Sequence, residues 1–320
     1  MAQDTQSETG AAKPPSPSLR PLIGAQLSTA GGFAPVPQRA LAIGAEVVQI
    51  FSSNPRTWRA YSPSPQEIEA LVTGLGRSGI PLYLHTIYLL NFASPDEALR
   101  SRSAEALATA LAVGALTQAY GVVTHLGSHR GDGFDAALPR IQETVRLASD
   151  EAHRVLGDSY RKRGLPALLL ENSAGSGFTV GGNLEELSSL LALLPSSCGL
   201  CLDTAHLFAA GYPLHTEVGL DQLVQELGER DLMRKVALIH LNDSKTPFAS
   251  RRDQHENPGA GYLGRASLRR VVRHPAFAAV PFVLEVPGEK GHGPDAANVS
   301  LVKLMRRGAA GRRKRLAHGA

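Results

Sequence analysis

Short apolar runs recur along the chain, and each is followed by a longer stretch with apolar residues at helical spacing. The runs at 22–27, 47–51, 81–85, 122–125, 167–171, 199–203, 236–241 and 282–285 predict strands. The stretches at 37–43, 65–77, 95–113, 134–156, 184–194, 220–227, 266–272 and 296–306 predict helices. Proline stands near the start of the 95–113 stretch, where its missing amide hydrogen costs a helix nothing. The runs are nearly continuous in apolar residues, as strands of a parallel sheet covered on both faces must be. Eight strand–helix units in succession predict an α/β protein with a (β/α)8 TIM barrel rather than an open doubly wound sheet. No P-loop is present.

Composition trims this picture at both ends. The chain has 320 residues, 43% hydrophobic and 19% charged, an ordinary globular balance. Residues 1–20, rich in Ser, Pro and Gln, bury too little to order themselves and are expected to form a flexible leader. The barrel is then 21–307, followed by a disordered basic tail at 308–320. The net charge of +4 owes much to Arg306, Arg307, Arg312, Arg313, Lys314 and Arg315, in a segment without acids. The remainder is slightly acidic, so the basic character belongs to a tail, expected either to add non-specific phosphate affinity or to be a solvated end, and not to the fold. Two cysteines exclude a disulfide framework. Cys198 and Cys201 lie three apart and on a strand would face opposite ways, which favours a core Cys201 and a strand-start Cys198 over a redox or metal pair. No apolar run approaches the length of a membrane helix, and no signal-peptide core opens the chain. A soluble cytoplasmic protein is expected.

The candidate chemistry lies at the strand ends. His85, His125, Glu171, Asp203, His240 and Glu285 each follow an apolar run where the strand should leave the barrel. The pleat puts Tyr83, Val123, Leu169, Cys201, Leu238 and Val283, two residues earlier, on the same inward face. Six strands in series therefore aim an imidazole or carboxylate into one mouth, the end where such barrels carry chemistry. His206 follows Asp203 by three, and the loop after 236–241 returns with Asp253-Gln254-His255 in a glycine-rich turn. Close carboxylates repel and are costly to bury unpaired, so bound cations are the simplest compensation. Nine ligands exceed what one tetrahedral ion takes and suit two or three divalent ions with a shared carboxylate. Imidazole and carboxylate without thiolate suits Zn2+, with Mn2+ or Fe2+ as alternatives. Closely spaced ions suit in-line phosphoryl displacement, so the residues by themselves indicate a multi-metal hydrolase of phosphate esters.

The motifs IGAQLSTAGG (23–32), FSSNPRTWRA (51–60), HTIYLLNFAS (85–94), HLGSH (125–129), ENSAGSG (171–177), CLDTAHLFAAGY (201–212), HLNDSK (240–245) and DQHENPGAGYLG (253–264) occur in this order. Together they resemble the endonuclease IV family of apurinic/apyrimidinic endonucleases in base excision repair, over about 22–304. The resemblance implies a xylose isomerase-like TIM barrel with three zinc ions, Mn2+ substituting at one or more. It implies that His85, His125 and Glu171 hold one ion. Glu171 would be shared with a second, held also by Asp203, His240 and Glu285, and His206, Asp253 and His255 would hold the third.

The implied reaction is hydrolysis of the phosphodiester 5′ to an abasic site, leaving a 3′-hydroxyl and a 5′-deoxyribose phosphate, with Glu171 positioning the nucleophile. Removal of 3′-blocking groups would follow by the same chemistry. Arg56 and Tyr88 match the side chains that enter the minor groove of opened DNA. A double-stranded DNA partner and a monomer are expected. The chain departs from the usual family pattern at Gln26, where GAQLS replaces GAHVS, and at Gln254, where DQH replaces DRH. HLGSH for HPGSH and DTAH for DTCH spare the ligands. The competing readings are a sugar isomerase or epimerase on a related barrel, which needs fewer metals and no Arg56 or Tyr88, and a non-catalytic repair accessory, which would have lost ligands.

Overall fold

The computed structural model describes residues 20–157 and 164–307. Eight parallel strands close into a barrel: β1 (Ile23–Leu27), β2 (Val48–Phe51), β3 (Leu82–His85), β4 (Gly121–Thr124), β5 (Ala167–Glu171), β6 (Gly199–Asp203), β7 (Val236–His240) and β10 (Phe282–Leu284). Each pairs with the next barrel strand, and β1 closes the ring against β10. The short strands β8 (Asp243–Ser244) and β9 (His255–Glu256) form an antiparallel hairpin in the loop after β7. The outer layer comprises α1 (Val36–Ala42), α2 (Pro65–Arg77), α3 (Glu97–Leu116), α4 (Phe134–Leu156), α5 (Leu184–Leu193), α6 (Thr204–Ala210), α7 (Glu217–Glu229), α8 (Gly264–Arg273) and α9 (Ala296–Arg306). The expected leader (apart from Arg20) and the expected tail lie outside the described residues. No helix among the described residues is long and apolar enough to cross a membrane.

Strand alternation sorts the apolar residues into two cores. Val47, Tyr83, Val123, Leu169, Cys201, Leu238 and Val283 pack together inside the barrel, and six of these are the inward residues read from the pleat. Their neighbours Ile50, Leu84, Val122, Leu170, Leu202, Ile239 and Leu284 face the helices in a second, larger cluster. Burying one such side chain is worth about 1.5–3 kcal/mol, so the two layers together fix strand register. Cys201 belongs to the inner cluster and Cys198 to the outer, and both thiols are free and buried.

Local chemistry sets several boundaries. Ser64 accepts from the Glu67 amide while Glu67 returns to the Ser64 amide, and Pro65 opens α2. Asp295 and Asn298 cap α9 in the same reciprocal way. Helix α6 has no counterpart among the predicted elements. It begins on the last residue of β6, where Asp203 Oδ1 accepts the His206 amide at 2.8 Å as an N-cap.

The last helix is fastened to the first strands by charge. Arg306 donates to the Pro21 carbonyl and to Glu46, at 2.6 and 2.5 Å, and Lys303 lies 3.3 Å from Glu46. Burial alone would raise the Glu46 carboxyl, but the Arg306 hydrogen bond and the Ile23 amide outweigh it and hold its pKa at about 2. A depressed folded-state pKa stabilises above the ordinary value of 4.5, and that stability is lost as pH falls toward 2. Arg306→Ala is therefore expected to cost about 2 kcal/mol in urea unfolding at pH 7, with the gap to wild type narrowing between pH 4.5 and 2. A pH-independent gap would show that the lost contacts are apolar.

Candidate active site

The C-terminal ends of the strands surround a cavity of about 330 Å3 lined by His85, Tyr88, His125, His206, Asp253, His255, Glu285 and Pro287. His85, Glu171, Asp203 and His240 enter from the ends of their strands, while His125 and Glu285 stand one residue past β4 and β10. Glu171 is at the centre, its side chain fully buried. One carboxylate oxygen lies 3.1 Å from His85 Nε2 and 3.5 Å from His125 Nε2. The other lies 3.0 Å from His240 Nδ1 and 3.4 Å from His206 Nδ1. Burial pushes the Glu171 carboxyl up, but the imidazoles of His125 and His240 hold it well below the usual carboxylate range. It stays ionised.

The α6 cap brings Asp203 and His206 to the same place. With Oδ1 committed to the His206 amide, Asp203 Oδ2 accepts from Asn242 at 2.6 Å and lies 3.5 Å from His255 Nε2. The β8–β9 hairpin carries the loop back, so that Asp253 Oδ1 lies 3.0 Å from His206 Nε2 and 3.3 Å from His255 Nε2. Asp243 anchors that return: its buried carboxylate accepts the amides of Ser244, Gly259, Leu263 and Gly264. Burial would lower the His255 pKa, but Asp203 and Asp253 raise it to about 9.

Four imidazoles have one ring nitrogen committed outside the cavity. His85 Nδ1 faces the Thr86 carbonyl at 2.7 Å, His206 Nδ1 the Asn172 carbonyl at 3.0 Å and His255 Nδ1 the Glu285 carbonyl at 3.3 Å. His240 uses the opposite nitrogen, with Nε2 2.9 Å from Gln49 Oε1. A ring whose one N–H is held by a carbonyl offers its other nitrogen to an ion, the arrangement of a metal-ligating imidazole. Among the described residues, three groups bring ligand atoms close enough to hold a metal ion. They are His85, His125 and Glu171; Glu171, Asp203, His240 and Glu285; and Asp203, His206 and His255. The donors, imidazole and carboxylate without thiolate, fit a divalent ion of the zinc or manganese kind.

All nine residues picked from the strand ends and the returning loop meet in this mouth. Asp203 differs from expectation: it belongs to two groups instead of one, because its cap leaves the second oxygen facing His255. Asp253 is more open than the rest, its side chain 54% exposed. Arg56 is exposed on the loop after β2, its amide bound to Asn54 Oδ1 at 3.1 Å. Tyr88, 55% exposed, rests edge-on against Phe51 at the cavity rim, and its amide bonds to the Pro55 carbonyl at 3.0 Å. Gln26 and Gln49 complete the inward ring on β1 and β2, paired in register. Gln49 escaped sequence reasoning, although its position two residues after inward Val47 is the signal that found the others.

A family model described as a xylose isomerase-like TIM barrel matches residues 37–307. A probable endonuclease 4 from Nitratidesulfovibrio vulgaris is 38% identical over 293 residues, 89% of this chain and 99% of that protein. The chain belongs to the endonuclease IV family. The crystal structure of endonuclease IV from Thermus thermophilus superposes with a TM-score of 0.77 at 35% identity, covering 89% of this chain and 98% of that one. A 3-keto-D-glucoside 4-epimerase from E. coli shares the barrel, with a TM-score of 0.61 over 90% of this chain and 99% of its own. At 15% identity that likeness shows the fold alone. Neither Gln26 nor Gln254 belongs to the three ligand groups.

Proposed function

We propose that this endonuclease IV family member incises DNA at abasic sites, hydrolysing the phosphodiester 5′ to the lesion to leave a 3′-hydroxyl and a 5′-deoxyribose phosphate. The observation that carries the reading is the sharing of Glu171 and Asp203 among three adjoining ligand groups, in a chain similar throughout to endonucleases. His85, His125 and Glu171 would hold one ion, and Glu171, Asp203, His240 and Glu285 a second. Asp203, His206 and His255, with Asp253 at the rim, would hold a third. The set suits zinc, with manganese as a substitute. Divalent ions so placed neutralise a phosphodiester, lower the pKa of water and stabilise a leaving alkoxide.

The chain's own contributions are positional. Glu171, ionised and fixed by imidazoles on both oxygens, is placed to orient the attacking water and take its proton. Tyr88 offers a planar ring at the rim where a base is missing, and Arg56 a charge for the phosphates of a widened minor groove. The same reaction at the end of a broken DNA strand would remove 3′-blocking groups, and the enzyme would act as a cytoplasmic monomer.

The test uses a duplex with one tetrahydrofuran abasic analogue, which cannot undergo β-elimination, so that any cut is hydrolytic. Cleavage immediately 5′ to the lesion, lost on prolonged chelation and restored by Zn2+ or Mn2+, is expected. A folded, metal-loaded protein that leaves this duplex intact would overturn the proposal and send the search to ketose–aldose interconversion.

A further inference from the structure

We infer that Gln49 is a positioning residue that sets the ligand atoms of His240 and Glu285 with one amide group; the inference rests on the metal-dependent reading above. Gln49 is fully buried on β2, between the inner core and the mouth, and belongs to none of the three ligand groups. It reaches across the barrel to both residues at once. Its Nε2 donates to Glu285 Oε1 at 2.7 Å, and its Oε1 lies 2.9 Å from His240 Nε2.

The polarity of these contacts has only one solution. An ionised carboxylate only accepts, so Glu285 Oε1 must face the NH2 end of the amide. The carbonyl end is then turned to His240, and it too only accepts. His240 Nε2 must therefore keep its proton toward Gln49, which makes Nδ1 the nitrogen that can give up a proton to an ion. That nitrogen points into the cavity, 3.0 Å from Glu171 Oε1 and 3.1 Å from Glu285 Oε2. The amide thus uses up one atom of each ligand and leaves the other, His240 Nδ1 and Glu285 Oε2, side by side. With the amide reversed, its carbonyl would oppose the carboxylate and the proton would sit on Nδ1. Among the four committed imidazoles, His240 is the one anchored by a side chain instead of a backbone carbonyl. Its tautomer is therefore the one a single substitution can unlock. Partners of this kind change metal affinity by about 10–100-fold when removed.

The experiment compares the metal-loaded wild type with Gln49→Met, which keeps length and loses both hydrogen bonds, and Gln49→Glu, which keeps an acceptor for His240 but opposes Glu285. Both variants are expected to lose one ion per chain faster than wild type under chelator challenge, by about tenfold or more. The absorption spectrum of the cobalt-substituted protein should change, and kcat on the tetrahydrofuran duplex should fall while KM holds. Long-range proton–nitrogen spectra of the loaded wild type should place the His240 proton on Nε2, a readout that needs no variant to fold. Wild-type chelator kinetics, spectrum and kcat in Gln49→Met, or a His240 proton on Nδ1 in the wild type, would overturn the inference while leaving the endonuclease reading in place. A wild type that neither retains metal nor cuts would overturn that reading and the inference with it.

Discussion

Glu171→Gln is expected to slow cleavage of the tetrahydrofuran duplex by at least about a thousandfold while leaving the barrel folded. The substitution keeps the shape of the side chain and removes its charge. In the native site the two carboxylate oxygens lie between 3.0 and 3.5 Å from nitrogens of His85, His125, His206 and His240. An amide cannot repeat this, because one end of it donates and opposes whatever the cavity lone pairs are aimed at. Two of the three ligand groups include Glu171, so its loss weakens both and removes the group placed to take a proton from water. The inner core below it, with Leu169 two residues earlier on the same face, is untouched, so the fold should persist, although the metal-free variant loses the stability that the imidazoles give the ionised carboxylate. Single-turnover rates with metal content measured on the same sample check the prediction. A variant that loses metal yet cuts within tenfold of wild type would show that Glu171 has no part in the reaction.

The site was legible to the extent that the strands carry it. A pleated strand has one inward position every two residues, so an apolar residue followed two later by an imidazole or carboxylate predicts both a core and a mouth. Tyr83 with His85, Leu169 with Glu171 and Leu238 with His240 all follow that rule. Helices with strong local signals were equally plain: Ser64-Pro65 with Glu67 fixes the start of α2 in four residues. What escaped depends on contacts that no local pattern encodes. Gln49 meets His240 across 191 positions of sequence, and a buried glutamine between apolar residues looks like any strand residue until its partners are known. Helix α6 was hidden because its N-cap is also the last residue of a strand and a candidate ligand. Asp203 carried three roles, and the sequence signal for a ligand concealed the signal for a cap. The double membership of Asp203 follows from that cap, since only the oxygen it leaves free can turn to His255.

His255→Ala tests the third ligand group, and its expected outcome differs in kind from that of Glu171→Gln. His255 stands on β9, held by pairing with β8 and by Nδ1 against the Glu285 carbonyl, with Nε2 3.4 Å from His206 Nε2 and 3.5 Å from Asp203. Removing it leaves the other two groups complete, so the protein should retain two of three ions and bind the abasic duplex with KM little changed. The leaving oxygen would lose its stabilisation, and kcat should fall about a hundredfold or more. Asp253 serves the same group from a half-exposed position, 3.0 Å from His206, where water can stand in for a lost carboxylate. Asp253→Ala alone should therefore cost about tenfold. The double variant should be no slower than His255→Ala alone, because residues that act as a unit are not additive once the unit is broken. Steady-state kinetics on the four proteins, with metal content by mass spectrometry, decide the matter. If the two losses instead multiply, or if His255→Ala still holds three ions, then Asp253 and His255 act separately and do not share one ion at the rim.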